Sequence, residues 1–123
     1  MKKVAWVLIV VVVVGGLVWL VKTPGKPGRL DAFATCLKDS GALFYGAFWC
    51  PHCQNQKAMF GSSAKLLPYV ECSTPNGKGQ LQVCLDAGVE GYPTWKFADG
   101  TVETGEIQLA RLSELTSCQL PQE

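Results

Sequence analysis

Apolar and polar positions divide this chain into one unbroken apolar run and a series of short segments with helical or strand periodicity. Val4 to Val21 is eighteen residues of Val, Leu, Ile, Ala, Trp and Gly without a charge. A bilayer core about 30 Å thick needs roughly 17–25 such residues in a helix, so the run is long enough to cross it. Lys2 and Lys3 precede it, Lys22 closes it, and Trp6 and Trp19 sit near its ends, where indoles favour the membrane interface. Alternating Pro and Gly in Thr23-Pro24-Gly25-Lys26-Pro27-Gly28 then prevent regular structure. The chain is thus read as an anchor (1–22), a linker (23–29) and one folded domain (30–123).

Within the domain, Leu30, Phe33, Ala34 and Leu37 recur at helical spacing, and Gly41 ends that helix. Residues 42–48 are an apolar, aromatic run expected as a buried strand. A helix-compatible stretch follows and runs to Leu67, before Pro68. Tyr69-Val70-Glu71-Cys72 reads as a short strand, 73–79 as a turn cluster, and Leu81 to Ala87 as a short helix capped by Gly88. Asp99-Gly100 between Thr94–Ala98 and Val102–Thr104 is a strong hairpin signal. Leu109 to Ser117 closes the domain as a helix. This order predicts an α/β fold: a mixed sheet with helices on both faces, able to carry a site at the carboxyl end of a strand.

Charge and cysteine content refine the placement. The formal net charge is +1, but five of the eleven basic residues lie before residue 30, which leaves 30–123 at −4. A mildly acidic domain without a basic cluster argues against nucleic-acid binding. A cleaved signal peptide is the competing reading of the apolar run. Its apolar region would be shorter, and Leu20-Val21-Lys22-Thr23-Pro24 offers no small-x-small cleavage site. Residues 4–21 are therefore expected to remain as a single membrane anchor. Flanking positive charges nearly balance, so they do not orient it. Six cysteines, an even and heavy number for a reduced cytosolic protein, place the domain outside the cytoplasm with the N-terminus inside.

The chemistry centres on Trp49-Cys50-Pro51-His52-Cys53. Two thiols two residues apart, after a strand and at the start of a helix, have the placement of a redox dithiol. The unsatisfied N–H groups of a helix N-terminus favour the first cysteine as thiolate, the species that reacts in disulfide exchange. Cys50 is the expected nucleophile, at the exposed first position, and Cys53 the thiol that resolves a mixed disulfide. His52 can hydrogen-bond to or charge-stabilise the Cys50 thiolate, and Pro51 fits the first helical turn. A zinc site needs about four ligands, and neither a second Cys-x-x-Cys nor another histidine exists. Gln54 after Cys53 removes the haem-attachment pattern. The site is accordingly expected to need no metal and no cofactor beyond a redox-active Cys50–Cys53 disulfide.

With Gly91-Tyr92-Pro93-Thr94 ahead of the hairpin, the chain resembles the thioredoxin superfamily. The resemblance implies a three-layer α/β/α sandwich, a cis Pro93 beside the dithiol, and Tyr92 as a substrate-contacting residue, with Trp49 and Pro51 near the same substrate. A closer set runs through Phe48 to Gln54, Lys57, Phe60-Gly61, Pro68-Tyr69-Val70-Glu71-Cys72 and Tyr92-Pro93-Thr94-Trp95. It is similar to the thioredoxin-like domain fused to bacterial vitamin K epoxide reductase homologues, over about residues 42–117. That likeness implies disulfide shuttling between cysteine-containing extracytoplasmic proteins and a quinone-linked membrane oxidase, which is missing from this chain. The Pro-His pair is also that of the periplasmic oxidant DsbA. One departure stands out: where thioredoxins bury an acid six residues before the first cysteine, this chain has Phe44.

Cys72 and Cys84 flank the Pro/Gly-rich loop and are expected to close it with a disulfide, as cysteines at comparable positions of the similar domain imply; a second redox relay is the alternative. Cys36 and Cys118 remain, either paired by elimination or as two buried thiols. Trp49 is expected partly exposed, whereas Tyr45, Phe48, Trp95 and Phe97 read as core. The leading expectation is a membrane-tethered thiol–disulfide oxidoreductase of an oxidising compartment, acting as an oxidant or isomerase. The competitors are a reductant on the same scaffold, a Cu(I)-binding chaperone using Cys50, Cys53 and His52, and a non-catalytic disulfide-stapled domain.

Overall fold

The apolar run forms one helix, α1 (Lys2–Lys22), whose valine, leucine and tryptophan side chains from Val4 to Leu20 are exposed. Among the described residues it is the one helix that is long and apolar enough to cross a membrane, by length and composition. The computed structural model describes residues 1–22 and 25–122. Thr23 and Pro24, at the start of the expected linker, lie outside the described residues.

After residues 25–28, which form no helix or strand, come α2 (Asp31–Asp39), β1 (Leu43–Gly46) and α3 (Pro51–Ala58), then a 3-10 helix over Gly61–Leu66. Next are β2 (Tyr69–Glu71), α4 (Gln82–Asp86), β3 (Thr94–Lys96), β4 (Val102–Thr104) and α5 (Leu109–Thr116). The strands form one mixed sheet in the order β2-β1-β3-β4, with β1 parallel to β2 and antiparallel to β3. β3 and β4 are the hairpin, turned by Asp99-Gly100, where Thr101 N–H donates to Asp99 Oδ1 at 2.8 Å.

Successive strand residues face opposite sides of a sheet, and β1 uses both. Phe44 stacks on its cross-strand partner Trp95 with ring centroids 4.8 Å apart. Phe33 and Leu37 from α2, Phe60, and Leu112 from α5 complete that side of the core, all nearly inaccessible to solvent. Tyr45 faces the other way, onto Cys72, Cys84 and Val89. The helices therefore cover both faces, because adjacent residues of one central strand need apolar partners on each.

The expected long helix from the dithiol to Leu67 is broken. α3 stops at Ala58, and Gly61 takes φ +53°, a left-handed conformation that glycine adopts without penalty. The tighter 3-10 turn that follows buries Ser63, whose hydroxyl accepts the Leu30 N–H at 3.1 Å just ahead of α2. Two disulfides brace the fold. Cys36 of α2 is joined to Cys118 beyond α5, 82 residues apart in sequence, and Cys72 to Cys84 of α4, 12 residues apart.

Candidate functional site

Gly46 ends β1, and Phe48 and Trp49 turn the chain before Cys50, whose N–H closes the turn on the Ala47 carbonyl at 3.0 Å. Cys50 keeps extended backbone (φ −77°, ψ 120°) as the residue before α3, and Pro51 takes the first helical position, where a missing N–H costs nothing. Cys53 follows one turn later. Both carry free thiols.

Cys50 is 6% exposed and Cys53 1%. The exposure expected for Cys50 is thus reduced to a narrow opening, because the loop before β3 packs over it: Cys50 Sγ lies 3.8 Å from the Tyr92 carbonyl oxygen. The Tyr92–Pro93 peptide bond is cis, and Pro93 is buried beneath that contact. Trp49 is half exposed, meets Tyr92 edge-to-face at 6.0 Å, and donates its indole N–H to Ser73 Oγ at 2.8 Å. Trp49, Pro51, Tyr92 and Pro93 therefore border Cys50. Phe48, expected in the core, is half exposed, because β1 has already ended and the alternation that buries Phe44 no longer applies.

His52 is largely exposed, and its Nδ1 lies 2.8 Å from Glu106 Oε1 rather than being turned onto a cysteine. The same oxygen accepts the Asn55 side-chain N–H at 2.9 Å. These two bonds, that from Asn55 first, hold the Glu106 carboxyl below its usual value. Glu106 is kept in place by its neighbour. Ile107 donates its N–H to Gln56 Oε1 at 2.7 Å and accepts from Gln56 Nε2 at 2.9 Å, and Gln56 is fully buried on α3. Neither Glu106 nor Gln56 is signalled by sequence: each is a polar residue in a polar stretch, and only the fold brings Glu106 to the dithiol helix.

On the inner side of the dithiol, Cys53 and Lys57 share one face of α3, as residues four apart do. They face Tyr69 of β2. Lys57 Nζ lies 3.4 Å from the centre of the Tyr69 ring, and Tyr69 donates its hydroxyl to Glu71 Oε2 at 2.7 Å. Glu71 Oε1 accepts the N–H of Ser73 at 2.9 Å and that of Phe48 at 3.2 Å. Gly46 makes this approach possible. A Cβ there would stand 2.9 Å from Cys53 Sγ and 2.8 Å from Tyr69 Cε2. Burial pushes the Cys53 thiol up to about 12; the Ala47 backbone hydrogen bond opposes this, the Cys50 thiol adds to it, and Lys57 lowers it. Burial, and then Glu71, likewise raise the Tyr69 phenol. Lys57, Tyr69 and Glu71 all stand within the motifs that carry the thioredoxin-like resemblance, but spacing alone gives them no role.

Among the described residues, no group of three or more His, Cys, Asp or Glu side chains is placed to hold a metal ion. The arrangement can do dithiol chemistry: a buried thiol one turn behind a slightly accessible one, beside a carbonyl and an aromatic rim. No family model matches the chain. It is 52% identical over 96 residues to the thiol-disulfide oxidoreductase LTO1 of Arabidopsis thaliana, a match covering 74% of this chain and 25% of that protein. It is 34% identical over 83 residues to a thioredoxin domain-containing protein 5 homolog of Drosophila melanogaster, covering 58% of this chain and 19% of that one. The chain spans a quarter or less of these curated relatives, and its likeness is to proteins of thiol–disulfide exchange and thioredoxin domains.

Proposed function

We propose that the chain is a membrane-tethered thiol–disulfide oxidoreductase whose domain, residues 30–123, is a thioredoxin-like module with Cys50-Pro51-His52-Cys53 as its reacting motif. One observation carries the reading. Four of the six cysteines are joined as Cys36–Cys118 and Cys72–Cys84, and the two left as thiols begin a helix, with Cys50 Sγ against the carbonyl of Tyr92. In the oxidising direction a substrate thiolate attacks Cys50 of the Cys50–Cys53 disulfide, Cys53 leaves, and a mixed disulfide forms. A second substrate thiolate then displaces Cys50, so two electrons pass from the substrate to the dithiol. Trp49, Pro51, Tyr92 and Pro93 hold the substrate segment, and His52 tunes the site from its exposed edge. Residues 4–21 anchor the domain on the extracytoplasmic side, where its partners are cysteine-containing proteins. A separate quinone-linked oxidase of the vitamin K epoxide reductase type recharges the pair, and no further cofactor is required.

The test is the reduction potential of the Cys50–Cys53 pair in the full chain, equilibrated with glutathione buffers in detergent. A value of roughly −120 to −200 mV, the region of DsbA and protein disulfide isomerase, supports disulfide donation or isomerisation. A value of about −270 mV, that of thioredoxin, makes the module a reductant. Absence of a reversible couple would overturn the oxidoreductase reading.

A further inference from the structure

Cys53 is almost completely buried, yet in either direction of exchange its sulfur must change protonation state. Position 44, where the family resemblance implies a buried acid, holds Phe44, stacked on Trp95 and edge-on to Tyr69. The ionisable groups around the thiol are Cys50 just before α3, Lys57 on α3, and Tyr69 and Glu71 on β2. His52 and Glu106 pair on the exposed side of α3. Tyr69 and Glu71 are two residues apart on one strand and so share the sheet face that carries Phe44 and Gly46, their register partners. The point where a Gly46 Cβ would stand is 2.9 Å from Cys53 Sγ and 3.3 Å from Tyr69 Oη, so thiol and phenol both border the space that a side chain at position 46 would fill. From Oη the hydrogen bond to Glu71 continues to a half-buried carboxylate, a route from the thiol toward solvent.

We propose that the Tyr69–Glu71 pair, with Lys57 seated on the Tyr69 ring, is the proton-transfer partner of Cys53, acting from β2 in place of an acid on β1. The assignment rests on the oxidoreductase reading above. When reduced protein closes on a mixed disulfide, Cys53 gives its proton to Tyr69 Oη as the Tyr69 proton passes to Glu71. The Cys53 sulfur attacks Cys50 Sγ, the Cys50–Cys53 bond forms, the bond from Cys50 to the substrate sulfur breaks, and the substrate leaves as thiolate. In the opposite direction a substrate thiolate attacks Cys50, Cys53 departs as thiolate, and the protonated pair returns the proton to it. The Lys57 ammonium stabilises the transient thiolate.

The pair is a positioning and proton-relay element, so its test separates the two chemical steps. Reduced full-length protein in detergent is mixed with oxidised glutathione and followed by tryptophan fluorescence across a range of pH. The phase proportional to glutathione reports attack by Cys50, and the limiting rate at high glutathione reports closure by Cys53. In both Tyr69→Phe and Glu71→Gln the limiting rate is expected to fall by about a hundredfold near neutral pH, the lower end of the scale of a general base. The first phase should be preserved, and the deficit should close at strongly alkaline pH, where hydroxide deprotonates Cys53 directly. A limiting rate and pH profile matching wild type in either variant overturns the paired relay. Equal slowing of both phases overturns it in favour of a structural role for β2. If wild-type Cys50 forms no mixed disulfide at all, the oxidoreductase reading fails first and this assignment falls with it, a result distinct from the others.

Discussion

Gln56 is the buried polar side chain on which the most hydrogen bonds converge, and replacing it with leucine isolates what they contribute. The substitution nearly conserves volume, so the cavity contribution is small. It removes the acceptor for the Ile107 N–H and for the Trp95 indole N–H, and the donor to the Ile107 carbonyl. Each buried group left without a partner costs about 1–3 kcal/mol. The Trp95 bond is long at 3.3 Å and contributes least, and the cost of burying the glutamine amide is recovered in the variant. About 3 kcal/mol of lost stability is the expected balance. For a folded unit of about a hundred residues, that corresponds to a fall in melting midpoint of more than about 10 °C. Thermal unfolding of the full chain in detergent, with both structural disulfides intact, measures it by circular dichroism. A loss under about 1 kcal/mol would refute the reasoning, because three orphaned groups cannot cost so little if they remain buried. The variant should also release Glu106 from His52, since Ile107 is what fixes the Glu106 loop to α3.

Two other expectations concern pH. The bonds from Asn55 and His52 hold Glu106 below its ordinary 4.5, so their contribution is present above that value and lost as pH falls through the depressed one; Glu106→Gln should flatten this acid limb of stability, and identical acid limbs would count against the contact. Cys53 lies the other way. Its folded value of about 12 stands above the ordinary 9.0, so the reduced protein keeps this contribution below about pH 9 and loses it toward 12. Iodoacetamide at neutral pH, read by peptide mass mapping, should accordingly modify Cys50 and spare Cys53; comparable labelling of Cys53 would contradict its burial.

The elements were legible where periodicity and turn chemistry agreed. Leu30, Phe33, Ala34 and Leu37 marked the face of α2, and Asp99-Gly100 marked the hairpin, because both signals are local. The thiol pair and its strand-to-helix placement were legible for the same reason. The end of α3 was misread. Pro68 was the stronger breaker by composition, whereas the chain breaks at Gly61, where a left-handed residue lets Ser63 turn inward to the Leu30 N–H. Phe48 was misread because strand alternation was extended past the last strand residue. Glu106 and Gln56 were invisible for a different reason. Gln56 is a polar residue on a helix of low apolar content, a pattern that describes a solvated side chain, and its burial arises only when Ile107 and Trp95 close over it. The Lys57–Tyr69–Glu71 array likewise needs the parallel pairing of β1 with β2, which sets Glu71 opposite Gly46.

The bond between Cys36 and Cys118 also has a mechanical consequence. It closes a loop of 82 residues that contains all four strands and both thiols of the dithiol, and its Cα atoms are 5.8 Å apart. A tension applied to the chain on either side of that loop travels along the start of α2, across two sulfur atoms, and out past α5. The sheet and the dithiol lie off the load path, as a hanging weight lies off a taut line. Pulling on the oxidised protein can fray α2 and the segment after Cys118 but cannot draw β1 away from β3. In the fully reduced protein the shunt is gone, and the same tension bears directly on the hydrogen bonds between those strands.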